Sequence, residues 1–514
     1  MKTMKYLVLL IATMLFMLGC KESYLDLANP NLQTTETFWK SESDIQKGVN
    51  AAYMSMAIYD GSFLRFAPIA LDLRGDDMWS PSPWDVLYNT GKFNLANNSI
   101  MQNWLWIAFE GVVYRANQVL AHIDEVTYSS EAKKNQYKGE ALFMRALGNY
   151  YLVTFFNNIP LVLQPYKTSA DFWPGQATPE VVWTQIYADF NEASNLLPTT
   201  YSGSDIGRAT KGAALTFLGK CYLRNLNFTD ASAKFKAVID LNIYGLMTNY
   251  HDNFTEAYEN NKESVFEIQF SREVGGRDLG WVGEPGPNWS LTTARAITYA
   301  PVPFGWGDCA ATQWIFNEFQ IEKTTGGLDD PRLKSCVHYN YPGCTLYGKS
   351  FQTVYATNLG AIWVKKYCND DATDGRIDEK DWRSGVNERL LRYSDVLLMY
   401  AECQNELNNR AVCAQYIQMV RNRASMPNRE AEFAALTQEA MRDRIAHERA
   451  LELALEGHRF EDVVRWGWLQ DPAKLAILKA HDSEFNNYVT GREYFSIPQA
   501  QVELNPNLLQ NPGY

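Results

Sequence analysis

Asp76 and Asp77, followed closely by Trp79 and Trp84, are the nearest this 514-residue sequence comes to a hydrolytic centre. Glycoside hydrolysis sets two carboxyl groups on either side of one bond, roughly 5–9.5 Å apart. Neighbouring residues rarely converge on a bond from opposite sides, so a surface glycoside hydrolase is the lesser reading. His447-Glu448 opens like a zinc-protease helix, but Leu451 stands where a second His at i+4 would bind the metal. Asn369 to Asp378 echoes a calcium loop, with Asp370, Asp374 and Asp378 as the oxygen donors and Gly375 at the turn. Ala372 at the third position and Asp381 in place of a terminal Glu spoil the match, so a solvated acidic turn is favoured over calcium. The glycine-rich phosphate loops and the G-x-S-x-G nucleophile elbow are absent. The expectation is a protein with no cofactor and no catalytic residue.

Glu448, Glu452 and Glu456 recur every four residues beside Arg444, Arg449 and Arg459. At that spacing acids and bases on adjacent helical turns pair with one another, which assigns the block to structural support. The aromatic residues carry more information. Fifteen Trp and 29 Tyr include two clusters outside any regular pattern: Trp79, Trp84 and Tyr88, then Trp281, Trp289, Tyr299 and Trp306. Apolar C–H faces of sugar rings stack on such planes, while polar groups such as Arg74 and Asp77 reach the hydroxyls. These nine residues are the candidate ligand-binding set, although some of the rings are expected to anchor loops instead.

The elements that must position them are helices. Apolar residues recur at three- and four-residue steps from Trp104 to His122 (Ile107, Val112, Ala116, Val119) and again from Asn135 to Phe156, a helical hairpin. Further helices are expected over Pro179–Leu197, with Thr178 as cap, and over Arg208–Leu226, Thr229–Asp240, Tyr393–Asn408 and Ala411–Ser425. Ala209, Ala213 and Gly219 allow close helix crossings, and the hairpins resemble tetratricopeptide repeats of irregular spacing. Between about 271 and 387 the periodicity fails in favour of Gly, Pro, Trp and Tyr, a loop-rich insertion of the kind that carries binding residues.

Lys2 and Lys5 precede an apolar run from Tyr6 to Leu18, then Gly19-Cys20, the layout of a lipoprotein signal. Residues 1–19 are read as the signal peptide and Cys20 as the lipidated first residue of a single domain, 20–514. That domain divides into a helical part (about 36–270), the insertion (about 271–387) and a C-terminal helical part (about 388–514). The run is shorter than the roughly 20 residues a spanning helix needs, so the membrane would be met through the N-terminal lipid anchor only. A net charge of −12 argues against nucleic acid. Of eight cysteines, Cys336 and Cys344 are best placed to bridge, while Cys221, Cys403 and Cys413 read as small buried hydrophobes.

Several motifs taken in order resemble the SusD/RagB family of outer-membrane nutrient-binding lipoproteins. They include Tyr24-Leu25-Asp26, Thr37-Phe38-Trp39, Gly48-Val49-Asn50-Ala51-Ala52-Tyr53, Met144-Arg145-Ala146 and Arg208-Ala209-Thr210-Lys211-Gly212. The most specific are Arg392-Tyr393-Ser394-Asp395 through Ala401-Glu402, His447-Glu448-Arg449-Ala450-Leu451-Glu452 with Glu456-Gly457-His458-Arg459-Phe460, and the terminal Asn511-Pro512-Gly513-Tyr514. The resemblance implies a mostly α, tetratricopeptide-like scaffold with a loop-rich, ligand-binding insertion. It also implies a non-enzymatic role: capture of a glycan at the cell surface for a SusC-like TonB-dependent transporter in the outer membrane. An oligopeptide is the alternative ligand.

Overall fold

The computed structural model describes residues 38–273, 291–373, 375–380, 382 and 384–514. Cys20, Trp281, Trp289 and Asp374 lie outside the described residues. The chain opens with α1 (Glu42–Ile58), which begins where the Ser41 side chain accepts from the Asp44 N–H. It then makes a tight π-type turn over Asp60–Leu64 and two short helices, α2 (Phe66–Asp72) and α3 (Asp85–Gly91). The scaffold follows as α4 (Ile100–His122), α5 (Glu131–Phe156), α6 (Pro179–Leu196), α7 (Lys211–Arg224) and α8 (Phe228–Asp240). After the insertion come α9 (Tyr393–Glu406), α10 (Arg410–Arg423) and α11 (Gln438–Glu452).

Each of α4 to α8 packs on the next, and α9 packs on α8 as well as on α10 and α11, so the C-terminal hairpin continues the same stack. Side-chain caps start most of these helices: Ser99, Ser130, Thr210, Asn227 and Thr437 each accept from a backbone N–H of the first turn. Thr178 is the exception. It makes no such bond, and Pro179 at the first helical position starts α6 unaided. Gly219 of α7 faces the Phe235 ring of α8 so closely that a Cβ would lie 2.7 Å from it, the close crossing its small size permits.

Among the short strands of the described residues, β1 (Met78–Trp79), β2 (Ser264–Ile268), β3 (Ala310–Ala311) and β4 (Glu388–Arg392) tie the irregular parts to the scaffold. β2 pairs antiparallel with β4, Ser264 opposite Arg392 and Ile268 opposite Glu388, so the chain leaves for the insertion and returns at one pinched base. β1 pairs with β3, Trp79 opposite Ala310. One hydrophobic core extends from Ala52 to Leu508 and draws on every scaffold helix.

Two expectations fail here. The seven described cysteines are all free: Cys336 lies in the main core, its thiol against the Tyr250 hydroxyl at 3.7 Å, and Cys344 lies in a separate small cluster with Phe304 and Phe351. Ile107, read as part of the core face of its helix, is 43% exposed, on an edge of α4 that it shares with the exposed Ile100 and Tyr114.

Candidate functional site

The π-type turn brings the chain hard against α4. At Gly61 a Cβ would sit 1.9 Å from the Trp104 carbonyl oxygen, so only glycine allows the approach. The turn delivers Arg65 onto the aromatic face that α4 and α2 share. Its guanidinium lies 4.9 Å from the Phe66 ring centre, 5.4 Å from Trp84 and 4.4 Å from Trp306. It also pairs with Asp308 at 3.5 Å. Burial pulls the Arg65 guanidinium down to about 10, still charged at neutral pH. Burial likewise raises the Asp308 carboxyl, against the opposing pull of Ser82 and Arg65.

The β1–β3 pair fixes the two loops that face one another across this cation. The Ser80 hydroxyl donates to the Asp308 carbonyl at 2.8 Å, and the Trp84 N–H donates to the Ser82 hydroxyl at 3.2 Å. The Trp306 N–H donates to Ile297 at 2.8 Å, and its ring meets Trp382 edge-on at 4.9 Å. Phe66, Trp84 and Trp104 form a second group, with Phe66 and Trp104 centred 4.7 Å apart. Between the groups opens a cleft of about 800 Å³ lined by Arg65, Trp84, Trp104, Val302, Trp306 and Asp308 among others. Broad indole planes around one buried ion pair suit a neutral ligand with apolar faces and hydroxyl groups. Asp308 is the one carboxylate of the described lining, so the cleft presents no pair of acids.

The structure brings Trp84 and Trp306 together, although 222 positions separate them in the sequence. Trp79 and Tyr88 are exposed nearby but do not line the cleft, and Tyr88 packs under the Lys92 ammonium at 3.2 Å. Tyr299, Asp77 and Arg74 are corrections. Tyr299 is fully buried and donates to Asp72 at 2.6 Å. Asp77 is buried and accepts the Leu455 N–H at 2.9 Å; burial pushes its carboxyl up to about 7. Arg74 is buried among Phe93, Phe460 and Phe495 and donates to the Arg492 carbonyl. Their polar atoms complete the core and face no solvent.

The hydrolase pair fails on the same ground. Asp76 is held by Arg459 at 2.5 and 3.0 Å and by His481 at 2.7 Å. Burial alone would raise it, but the Arg459 guanidinium and the bond to His481 bring it down to about 2. In the acidic turn, the Asp370 carboxylate is buried against Lys365 at 3.3 Å, a cation already in place, and Asp378 lies beside Lys380. Among the described residues no three His, Cys, Asp or Glu side chains gather for a metal. Glu448 and Glu452 on α11 and Glu456 just beyond it are held in buried ion pairs, mostly with cations distant in sequence. Glu452 is met by Arg332, Arg392 and Arg423, and Glu456 by Lys366 and Arg392, all buried.

Sequence reasoning missed Arg65, Trp104, Asp308 and Trp382. Trp104 carried a signal, since Ile100, Trp104 and Ile107 form an apolar stripe beside the one that enters the core.

Fold and cleft together define a helical-hairpin scaffold whose irregular loops enclose an aromatic recess. Residues 262–514 match the sequence model of the SusD family, and residues 23–223 match that described as "Starch-binding associating with outer membrane". The chain belongs to the SusD/RagB family. SusD-like protein P25 of Formosa agariphila is 26% identical, covering 96% of each chain. Among solved structures, a SusD superfamily protein from Bacteroides vulgatus superposes with a TM-score of 0.81 at 28% identity, over 93% of this chain and all of the other. Surface glycan-binding protein A from Bacteroides thetaiotaomicron, solved with laminarihexaose, gives 0.72 at 21% identity over 92% of this chain and 99% of that one.

Proposed function

We propose that the protein is a non-catalytic surface lipoprotein that captures glycans in the Arg65 cleft and passes them to a SusC-like TonB-dependent transporter. The observation that carries this reading is the cleft itself: three Trp rings around a buried ion pair, with a single carboxylate in the described lining. Family membership and a structural relative solved with laminarihexaose support a sugar as the ligand. The anchor would be Cys20, and among the described residues no helix is long and apolar enough to cross a membrane. A tethered binder needs a partner that supplies the pore, and sharing one membrane raises the effective concentration of the two.

Calorimetric titration of the protein against a panel of polysaccharides and oligopeptides tests the ligand class. Binding of at least one polysaccharide, with no release of reducing ends, is expected. Binding of peptides alone would transfer the cleft to peptide uptake, and saccharide cleavage would make it an enzyme. Purification from mild detergent should recover a barrel protein in near-equal amount, and repeated recovery of this chain alone would remove the transporter from the proposal.

A further inference from the structure

A second concavity of about 420 Å³ lies further along α4, closed by the residue after α1, by α5 and by the segment that leaves α5. Tyr59, Trp106, Glu110, Tyr114, Asn149 and Tyr166 are among its lining residues. Tyr114 and Tyr166 are exposed and offer ring faces at the rim. Inside, two polar groups that are almost fully buried have no hydrogen-bond partner: the indole nitrogen of Trp106 and the side-chain oxygen of Asn149. The Asn149 amide nitrogen is already used, donating to the Arg145 carbonyl at 3.1 Å, so its remaining atom is an acceptor. The Trp106 N–H faces Glu110 without closing a bond of ordinary geometry. Burial pushes the Glu110 carboxyl up to about 7, which lets that group donate or accept near neutrality.

Donors and acceptors are therefore mixed, with ring planes at the mouth. Unpaired buried polar atoms are costly, and they disfavour an acyl chain or a purely apolar partner as occupant. A hydroxylated ring satisfies both kinds of group at once.

The two concavities share one helix. Ile100 and Trp104 line the cleft, while Ile107, Gly111 and Tyr114 line the second recess. These residues follow three- and four-residue steps along one edge of α4, with Ile100, Ile107 and Tyr114 all exposed. At 1.5 Å per residue the stripe is about 21 Å long, the reach of several linked rings. Gly111 keeps it open, since a Cβ there would approach the Tyr59 ring to 3.1 Å.

We infer that the Trp106–Asn149 recess is an accessory subsite for another neutral, hydroxylated ring of the same glycan chain, with the exposed edge of α4 as the track between the two sites. This rests on the glycan reading above. The test is calorimetry of the polysaccharide found to bind, using the wild type, Tyr114→Ala, Glu110→Gln and Trp84→Ala, each checked for unchanged circular dichroism. Tyr114 is a surface ring, so its removal leaves the core intact. Tyr114→Ala and Glu110→Gln should each weaken the polysaccharide about fivefold, on top of the loss from Trp84→Ala. Wild-type affinity in both, with Trp84→Ala still impaired, would overturn the subsite and leave the cleft standing. Absence of any saccharide binding by the wild type would overturn both.

Discussion

At the scale of single residues, the distinction that matters is between aromatic rings that line a cavity and those that hold the loops around it. Trp84→Ala and Trp306→Ala should each weaken glycan binding by about 1 kcal/mol or more with circular dichroism unchanged, because both rings line the cleft. Tyr299→Phe should do the reverse. Its hydroxyl donates to the buried Asp72, which also takes Arg295 at 2.9 Å. Losing one bond to a buried carboxylate should cost about 1–3 kcal/mol of stability in urea unfolding and leave affinity untouched; lost affinity in a stable Tyr299→Phe protein would place that ring at the ligand after all. Asp77 gives a pH-dependent case. Its folded carboxyl is raised to about 7, so its protonated form stabilises the fold fully below the unfolded value near 4 and loses that contribution as pH rises through 7. Asp77→Asn keeps an acceptor for the Leu455 N–H and should gain stability over the wild type at pH 8 but not at pH 4, read by chemical denaturation at both. The sequence could not separate Tyr299 from Trp306. Both stand in a stretch without periodicity, where no face is marked as inner or outer, and only the tertiary path around the β1–β3 pair turns one inward and leaves the other at the cleft.

At the scale of elements, the helices were legible because each carries its own signal: an apolar stripe, a cap and a stop. The expected span Asn135–Phe156 starts four residues later than α5 itself, because the capped first turn Glu131-Ala132-Lys133-Lys134 carries no apolar stripe, and Tyr393–Asn408 ends two residues beyond α9, the fraying expected at helix ends. What could not be read was the closure of the insertion, since β2 and β4 are five residues each and lie on opposite sides of it. Nor could the π-type turn be read, because its cause is the approach of Gly61 to a backbone distant in sequence. Gly61→Ala tests that approach. The methyl group would strike the Trp104 carbonyl, which cannot rotate away, so the turn must lift and carry Arg65 with it. The expected outcome is a loss of about 2 kcal/mol or more of stability together with weaker ligand binding. A variant that unfolds more easily yet binds as the wild type would uncouple the turn from the cleft.

At the scale of the whole molecule, buried charge joins parts that hydrophobic patterning leaves separate. Glu448 of α11 accepts from Arg332 of the insertion at 2.9 Å, from Arg421 of α10 at 3.3 Å and from Arg444 on its own helix at 2.8 Å. Four-residue spacing predicted only the last of these, since the other two depend on how the insertion folds back over α10 and α11. Burial alone would raise the Glu448 carboxyl, but the three guanidinium groups outweigh it and hold the group at about 2. A folded value below the unfolded one near 4.5 means that the network stabilises the fold above that pH and loses its contribution as pH falls toward 2. Glu448→Gln removes the charge while keeping the shape, and leaves Arg421 with Glu322 as its remaining acid partner. The variant should be about 3 kcal/mol less stable than the wild type at pH 7, with the gap narrowing steadily below pH 4 as the wild-type carboxylate is itself protonated. Because the network spans the insertion and the C-terminal hairpin, and one core reaches from Ala52 to Leu508, the loss should appear as an earlier single transition. Urea unfolding followed both by tryptophan fluorescence and by far-ultraviolet circular dichroism checks this. Two separated transitions in the variant, or a stability gap that does not change between pH 7 and pH 3, would show that the insertion is held to the scaffold by its apolar contacts and not by this cluster of charge.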